Sequence, residues 1–476
     1  MTGFLRVEGT KIVSDDGKPV VLRGAATGGH LNMENFITGY PGHETQHKEA
    51  MLKFMGQEKY DFFWDRFYDY FWTDKDSEFY AACNLNCLRI PFNHRHFLDD
   101  NDLTKVNPNG FKLLDRVVDS CARFGIYTVL DLHTAPCGQN QDWHSDNATH
   151  AAQFWDYGHL QDTIINLWKH IAAHYKENPW VAGYNPLNEP ADPKHTRLID
   201  FYTRIEKEIR SVDDKHILFL DGNTYAADFN HFPAKPFPNS VYSIHDYSKF
   251  GFPACEERYT SAETQKAKLL ASYERKISHM KQVGVPVWNG EWGPVYSSAM
   301  RHDTDIEATN ASRYLVLRDQ LEIYKKGDPS GDNTPISWSI WLYKDIGYQG
   351  LTFVSPDSKW YRHLQPWLVK KQSLGLDRWG RNADPEIEKI YTAVKDHFEA
   401  AIPPEHRESL YPPTWRTRDW VDRVLRDILL SEYLASEFAE YFRDLSFEEL
   451  DELAGSFKFE NVEHRDELIQ HLKNWI

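Results

Sequence analysis

Eight short runs rich in β-branched and aromatic residues, at 20–25, 87–92, 127–133, 181–186, 216–221, 241–247, 286–291 and 336–343, alternate with longer segments of helical periodicity. That alternation constrains the fold more than any other feature of the 476-residue chain. Several runs are apolar almost throughout, as parallel strands covered on both faces must be. Between them, 111–124 sets Leu113, Leu114, Val117 and Val118 on one face and stops at Gly125, while 160–175 carries Ile164, Ile165, Leu167, Trp168 and Ile171. Segments 198–212 and 266–283 show the same helical spacing. Strand–helix alternation eight times over predicts an α/β fold, a (β/α)8 TIM barrel. A doubly wound open sheet is the competing architecture, but no Gly-rich phosphate turn follows the first strand.

The barrel pattern has flanks. Residues 4–7 and 11–14, an Asp16-Gly17 turn and 20–23 predict an opening hairpin. Near the other end, Pro403-Pro404 and Pro412-Pro413 punctuate a crossing segment. Residues 419–442 then carry Val421, Val424, Leu425 and Ile428 at helical spacing, and Ser446 with Glu449 forms a capping box that opens another helix. The division expected is therefore 1–400 for the barrel with its hairpin and 401–476 for a small helical C-terminal extension. That extension reads equally as a partner-binding surface and as a structural brace.

Composition removes several function classes. The formal net charge of −17 disfavours nucleic acid as a partner. No apolar run approaches the roughly 20 residues needed to span a bilayer, so no transmembrane segment is expected. Five cysteines, an odd number, argue against a disulfide framework. With no basic-then-apolar leader at the start, the expectation is a cytoplasmic, reduced protein, or a secreted one if the sequence is a processed form. Aromatics make up 14% of the chain, including 16 Trp and 25 Tyr, and rings of this kind suit sugars as ligands.

In a barrel, functional side chains gather at the carboxyl ends of the strands. Here those ends carry Arg89, Asp131 with His133, Asn188 with Glu189, His245 with Tyr247, Glu291, and Trp338 with Trp341. Glu189 and Glu291 each close a short apolar run beside Trp, Asn, Gly or Pro, the company of a shaped polar cleft. Two carboxyl groups, one protonated and one ionised, are what glycosidic cleavage needs. Surface acids are the bland alternative for any one of the 71 Asp and Glu residues, but six polar strand ends in order are hard to produce by chance.

These residues resemble glycoside hydrolase family 5, the cellulase-like family of retaining (β/α)8 glycosidases. The resemblance runs from about Arg89 to Trp341 and leaves the C-terminal extension unexplained. It implies that Glu189 is the general acid/base and Glu291 the nucleophile. Asn188 would hold the sugar 2-hydroxyl, Arg89 and Tyr247 would keep Glu291 ionised, His133 and His245 would orient the sugar or the acid, and Trp341 would floor the −1 site. Neither a cofactor nor a metal is expected, and the partner expected is a carbohydrate or glycoside substrate.

Residues 131–140 are similar to the third loop of the exo-β-glucanase and β-glucosidase branch, with Cys137 where many relatives have Gly. An aromatic- and His-rich insertion at 28–70 follows the first strand and is placed to wall off the cleft. Together they predict an exo-acting β-glucosidase, with an endo-β-glucanase or a glycolipid- or diglycoside-specific glycosidase as alternatives. Two rivals come from other classes. His43-Glu44-Thr45-Gln46-His47 spells the H-E-x-x-H signature of zinc peptidases, although Pro41-Gly42 precedes it and no clear third ligand follows. A sugar-binding protein without turnover is the other, and retention of both glutamates argues against it.

Overall fold

A computed structural model describes residues 3–299, 303–376, 379, 383–407 and 416–475. Residues Arg6–Glu8 (β1) and Lys11–Val13 (β2) pair antiparallel about Gly9. Eight parallel strands then close a barrel: Arg23–Ala26 (β3), Cys87–Phe92 (β4), Tyr127–Leu132 (β5), Val181–Asn185 (β6), Ile217–Asp221 (β7), Ser240–His245 (β8), Val287–Glu291 (β9) and Ser337–Ile340 (β10). The chain is thus a (β/α)8 barrel with a helical C-terminal region, and each of the eight predicted runs supplies one strand.

Period-two alternation builds the site's foundation. Leu88, Ile90, Leu130, Leu132, Leu218 and Leu220 share one large core with residues of the surrounding helices. Cys87, Val129, Ile217, Phe219, Val241 and Trp288 form a separate apolar cluster. One pleat beyond members of that second cluster stand Arg89, Asp131, Asp221 and Ser243, all fully buried. Strand polarity therefore switches from apolar to charged along the carboxyl-terminal direction, at the level where β6 and β9 deliver their glutamates.

Several boundaries differ from expectation. The Asp16-Gly17 turn is present, with Gly17 N–H donating to Ser14 O at 2.8 Å, but the first barrel strand begins only at Arg23. Leu22 N–H is taken instead by the Ser337 hydroxyl at 2.9 Å. The helix predicted at 266–283 is two, Glu263–Lys276 and Ser278–Val283. Trp338 lies outside the cleft, edge-on to Trp292 and Trp475.

The insertion after β3 is largely helical, with Glu44–Met55 and Gln57–Phe71, and it packs on the C-terminal region rather than on the barrel alone. Met51, Phe63, Phe67 and Phe71 share a core with Phe438, Phe442, Leu453 and Phe457. Lys344–Asp345 (β11) and Thr352–Val354 (β12) add Val462–His464 (β13) to a small sheet. The Ser446 capping box forms, with Ser446 N–H donating to Glu449 Oε2 at 2.9 Å. Pro412-Pro413 lie outside the described residues.

Residues 419–442 are helical, as expected, but not as one regular helix. The segment is helix Thr417–Arg423, a wider π-helical stretch Val424–Leu430, and helix Ala435–Glu440. Val424, Leu425 and Ile428 are only half-buried, whereas Asp422, Arg426 and Asp427 are buried. The physical reason is the neighbouring surface. Arg426 pairs with Asp422 and with Glu388 at 2.6 Å, so charge rather than apolar area is matched there. Among the described residues no helix is long and apolar enough to cross a membrane.

Candidate active site

A cavity of about 220 Å³ opens at the carboxyl-terminal mouth of the barrel. Glu189 lines it just beyond β6 and Glu291 at the end of β9. One oxygen of each, with a ring nitrogen of His245, lie within 4.8 Å of one another. Around them the predicted residues converge. Arg89, fully buried on β4, donates to Glu291 Oε1, to Asn188 Oδ1 at 2.6 Å and to Asp131 Oδ2 at 3.0 Å. Tyr247 donates its hydroxyl to Glu291 Oε2 at 3.0 Å. His245 Nδ1 meets Glu189 Oε1 at 2.6 Å and lies 3.6 Å from Glu291 Oε2. His133 is tied to Asp131 at 2.7 Å and to Asn188 at 3.3 Å, and it stacks on Trp341 with centroids 5.5 Å apart. Trp341 is joined to Leu342 by a cis peptide bond, and a Cβ on Gly28 would come within 2.5 Å of its ring.

Glu189 adopts φ 44°, in the left-handed region that costs a non-glycine residue about 1–2 kcal/mol. Two contacts hold it there. Its N–H donates to Asp221 Oδ2 at 2.9 Å, and its carbonyl accepts from Asn140 Nδ2 at 2.9 Å. Asp221 closes β7 and faces His245 Nε2 at 3.7 Å, so it braces both the glutamate and its imidazole neighbour.

The electrostatics of the cleft divide the carboxyl groups. Burial pushes the Glu189 carboxyl up, but His245 and His144 outweigh it and hold the group well below the usual carboxylate range. Burial likewise opposes charge on His245, yet Glu291 and Glu189 raise it above the ordinary imidazole value. His245 Nδ1 and Glu189 Oε1, 2.6 Å apart, therefore form a close pair in which each group favours the charged form of the other. Glu34 moves the other way: burial raises its carboxyl, with His133 at 3.5 Å opposing. Burial and then Glu291 keep the Tyr247 phenol far above its usual value, so it stays a neutral donor.

His133 carries a testable consequence. Burial disfavours its charge, but Asp131 and Glu34 outweigh that and raise it from 6.5 to about 10. A group raised in the folded state adds stability that is full below about pH 6.5 and is lost as pH climbs through about 10. The denaturant midpoint of the native chain should thus fall across that window, and His133→Gln should flatten the fall. Equal slopes in both proteins would remove His133 as the cause.

Sequence reasoning did not find Glu34, His144, Asp221, Tyr225, Trp379 or Arg423. Asp221 had a signal, since it ends a predicted strand. His144, whose Nε2 lies 3.1 Å from Glu189 Oε2, had none beyond its place in the loop after β5. The H-E-x-x-H histidines diverge. His43 contacts Asp146 at 2.8 Å, while His47 stacks on Tyr40 at 4.2 Å. Glu44 accepts from Met33 N–H at 2.9 Å and from Asn93 Nδ2 at 3.0 Å. Among the described residues these three form no cluster of metal-ligating groups.

The chain matches the family model for Cellulase (glycosyl hydrolase family 5) over residues 38–345. It is 52% identical over 468 residues to a protein named beta-xylosidase from Phanerodontia chrysosporium, covering 98% of this chain and 96% of that one. It is 26% identical over 365 residues to a probable glucan 1,3-beta-glucosidase A from Neosartorya fischeri, covering 69% of this chain and 84% of that one. An endogalactoceramidase structure shares the fold at TM-score 0.53 and 17% identity, covering 78% of each chain.

Proposed function

The chain belongs to glycosyl hydrolase family 5 and is a glycoside hydrolase acting on carbohydrate; from that premise we propose a retaining, exo-acting β-glycosidase that removes one terminal gluco-configured sugar. The observation that carries this reading is the approach of the Glu189 and Glu291 oxygens to within 4.8 Å. Carboxyl groups about 5–5.5 Å apart serve double displacement, whereas inversion needs about 6.5–9.5 Å to admit a water. Asp142 and Trp143 of the loop after β5 and Arg423 of the helix Thr417–Arg423 wall the cavity, which favours the end of a chain over a threaded polymer.

In the first step a Glu291 oxygen bonds to the anomeric carbon as the bond to the leaving oxygen breaks, and Glu189 passes that oxygen a proton. Arg89 and Tyr247 each donate to one Glu291 oxygen and hold the carboxyl group in place for the attack. In the second step Glu189 takes a proton from water as water attacks the same carbon and the ester breaks. Asn188 is taken as the holder of the 2-hydroxyl by family resemblance, and Trp341, which lines the cavity, as the floor under the ring.

Glucose is the first choice of released sugar. The β-xylosidase name on the 52% identical relative favours xylose as the second. The two share every ring hydroxyl configuration and differ by one hydroxymethyl group, a difference a pocket can weigh by about 1–3 kcal/mol or more. Proton NMR of the first product from aryl β-glucosides, β-xylosides and short glucans tests the reading. The β-anomer of a monosaccharide is expected, with the kcat/KM ratio naming the sugar. An α-anomer released first would reject retention, and mid-chain fragments released first would reject exo action.

A further inference from the structure

The family match ends at residue 345, yet the cleft does not: Arg423, in the helix Thr417–Arg423, lines it. We propose that this C-terminal segment builds the leaving-group side of the active site as a pyranose-binding subsite, with Arg423 positioning Asp142 and Trp143. The inference rests on the retaining reading above.

The side is assigned by what touches the acid. Glu189 must reach the departing oxygen, and its Oε2 is next to His144, which stands edge-on to Tyr225 at 6.3 Å. Trp143 and Asp142 precede His144 in the chain and line the same cavity. The remaining groups attach elsewhere, Tyr247 to Glu291 and both Glu34 and Trp341 to His133. His144 touches the acid and also stands edge-on to His133 at 5.7 Å, so the wall of Trp143, His144, Tyr225 and Arg423 begins at the acid, while Trp379 packs against Tyr247 on the nucleophile's side.

Arg423 grips this wall firmly. Its guanidinium makes a bidentate pair with Asp142 at 2.7 and 2.9 Å, meets Asp427 at 3.1 Å, and lies 4.5 Å from the Trp143 ring centre. Asp142 Oδ1 in turn accepts from Trp143 N–H at 3.0 Å, so the pair fixes the tryptophan's backbone. Fork-to-carboxylate pairing adds geometric specificity as well as energy. The segment is strapped on further along. Ser431 Oγ accepts from Gly42 N–H at 2.6 Å, Glu432 O accepts from Gln46 at 3.1 Å, and Glu432 Oε1 meets His150 at 3.1 Å.

Two features favour a site over a brace. A segment held for packing alone would bury its apolar stripe, because buried ion pairs repay their desolvation poorly. This one buries Asp422, Arg426 and Asp427, and of its four-residue apolar stripe it buries Val421 but leaves Val424, Leu425 and Ile428 half-buried. Tyr225 sits in a turn where Thr224, Tyr225 and Ala226 hold φ of 55°, 58° and 55°, backbone strain of the kind that clusters at binding sites. An indole beside a carboxylate, a guanidinium and a phenol suits a ring with apolar faces and a hydroxyl rim, which is a sugar.

The same subsite would seat an acceptor. A hydroxyl of that sugar bonds to the anomeric carbon as the ester to Glu291 breaks, and its proton passes to Glu189. The product ratio of transfer to hydrolysis therefore reads the subsite and is independent of how much enzyme is folded. Full-length native protein, Arg423→Met and Arg423→Lys are given an aryl β-glycoside donor with cellobiose as acceptor. Arg423→Met should lower the ratio at least fivefold, with Arg423→Lys between it and the native protein. In parallel, kcat/KM for a β-linked disaccharide divided by that for the glycosyl fluoride, which brings no second ring, should fall at least tenfold in Arg423→Met. If both ratios stay at the native value while rates fall, Arg423 is a brace and the proposal is overturned. Native protein inert towards both donor and fluoride would overturn the functional reading itself, a separate outcome.

Discussion

Glu291→Gln is expected to lower kcat at least about 10⁴-fold on every β-glycoside, because loss of a nucleophile removes the covalent route rather than one contact along it. The amide keeps the shape of the carboxylate but cannot carry the charge that Arg89 and Tyr247 converge on. Arg89 retains Asp131 at 3.0 Å, so the buried cation is not left without an anion and the variant should fold. A 2-deoxy-2-fluoro glycosyl donor, which slows the second step, should label the native protein stoichiometrically. Peptide mapping should place the adduct on Glu291, and Glu291→Gln should take none. An adduct on another residue would move the nucleophile elsewhere.

Glu189→Gln is expected to divide substrates by their leaving groups. Alkyl glycosides and disaccharides, which need a proton on the departing oxygen, should lose about 10²–10⁴-fold in kcat/KM. A dinitrophenyl glycoside needs little help, so its first step should be spared and the glycosyl-enzyme should accumulate, lowering KM. Azide, a nucleophile that requires no base, should restore turnover and yield the β-glycosyl azide. Position 189 is held at φ 44° by Asp221 and Asn140 through backbone atoms, and those contacts survive the substitution. Uniform loss across all leaving groups without azide rescue would reject the acid/base role.

These expectations reach back to the sequence unevenly. The positions of Arg89, Asn188, Glu189, His245, Tyr247 and Glu291 were legible because each lies within or just past a short β-branched or aromatic run that alternates with helical segments. Barrel topology then brings all such ends to one mouth. Trp338 misled, since one pleat decides whether a side chain faces the barrel axis or the surrounding helices. Glu34 gave no local sign, because the insertion that carries it has no repeating pattern to fix where it folds back.

Local periodicity decided the eight strands and the helices between them, for these depend on residues a few positions apart, and closing eight such strands into a barrel brought the two glutamates to one mouth. Tertiary structure alone decided that Arg423 would meet Asp142 across 281 positions of chain and that 417–432 would turn its charges rather than its apolar stripe inward. The reason is that a buried guanidinium needs a carboxylate partner, and which carboxylate faces it depends on chain segments that meet only when the fold is complete, here the loop after β5 and the helix Thr417–Arg423.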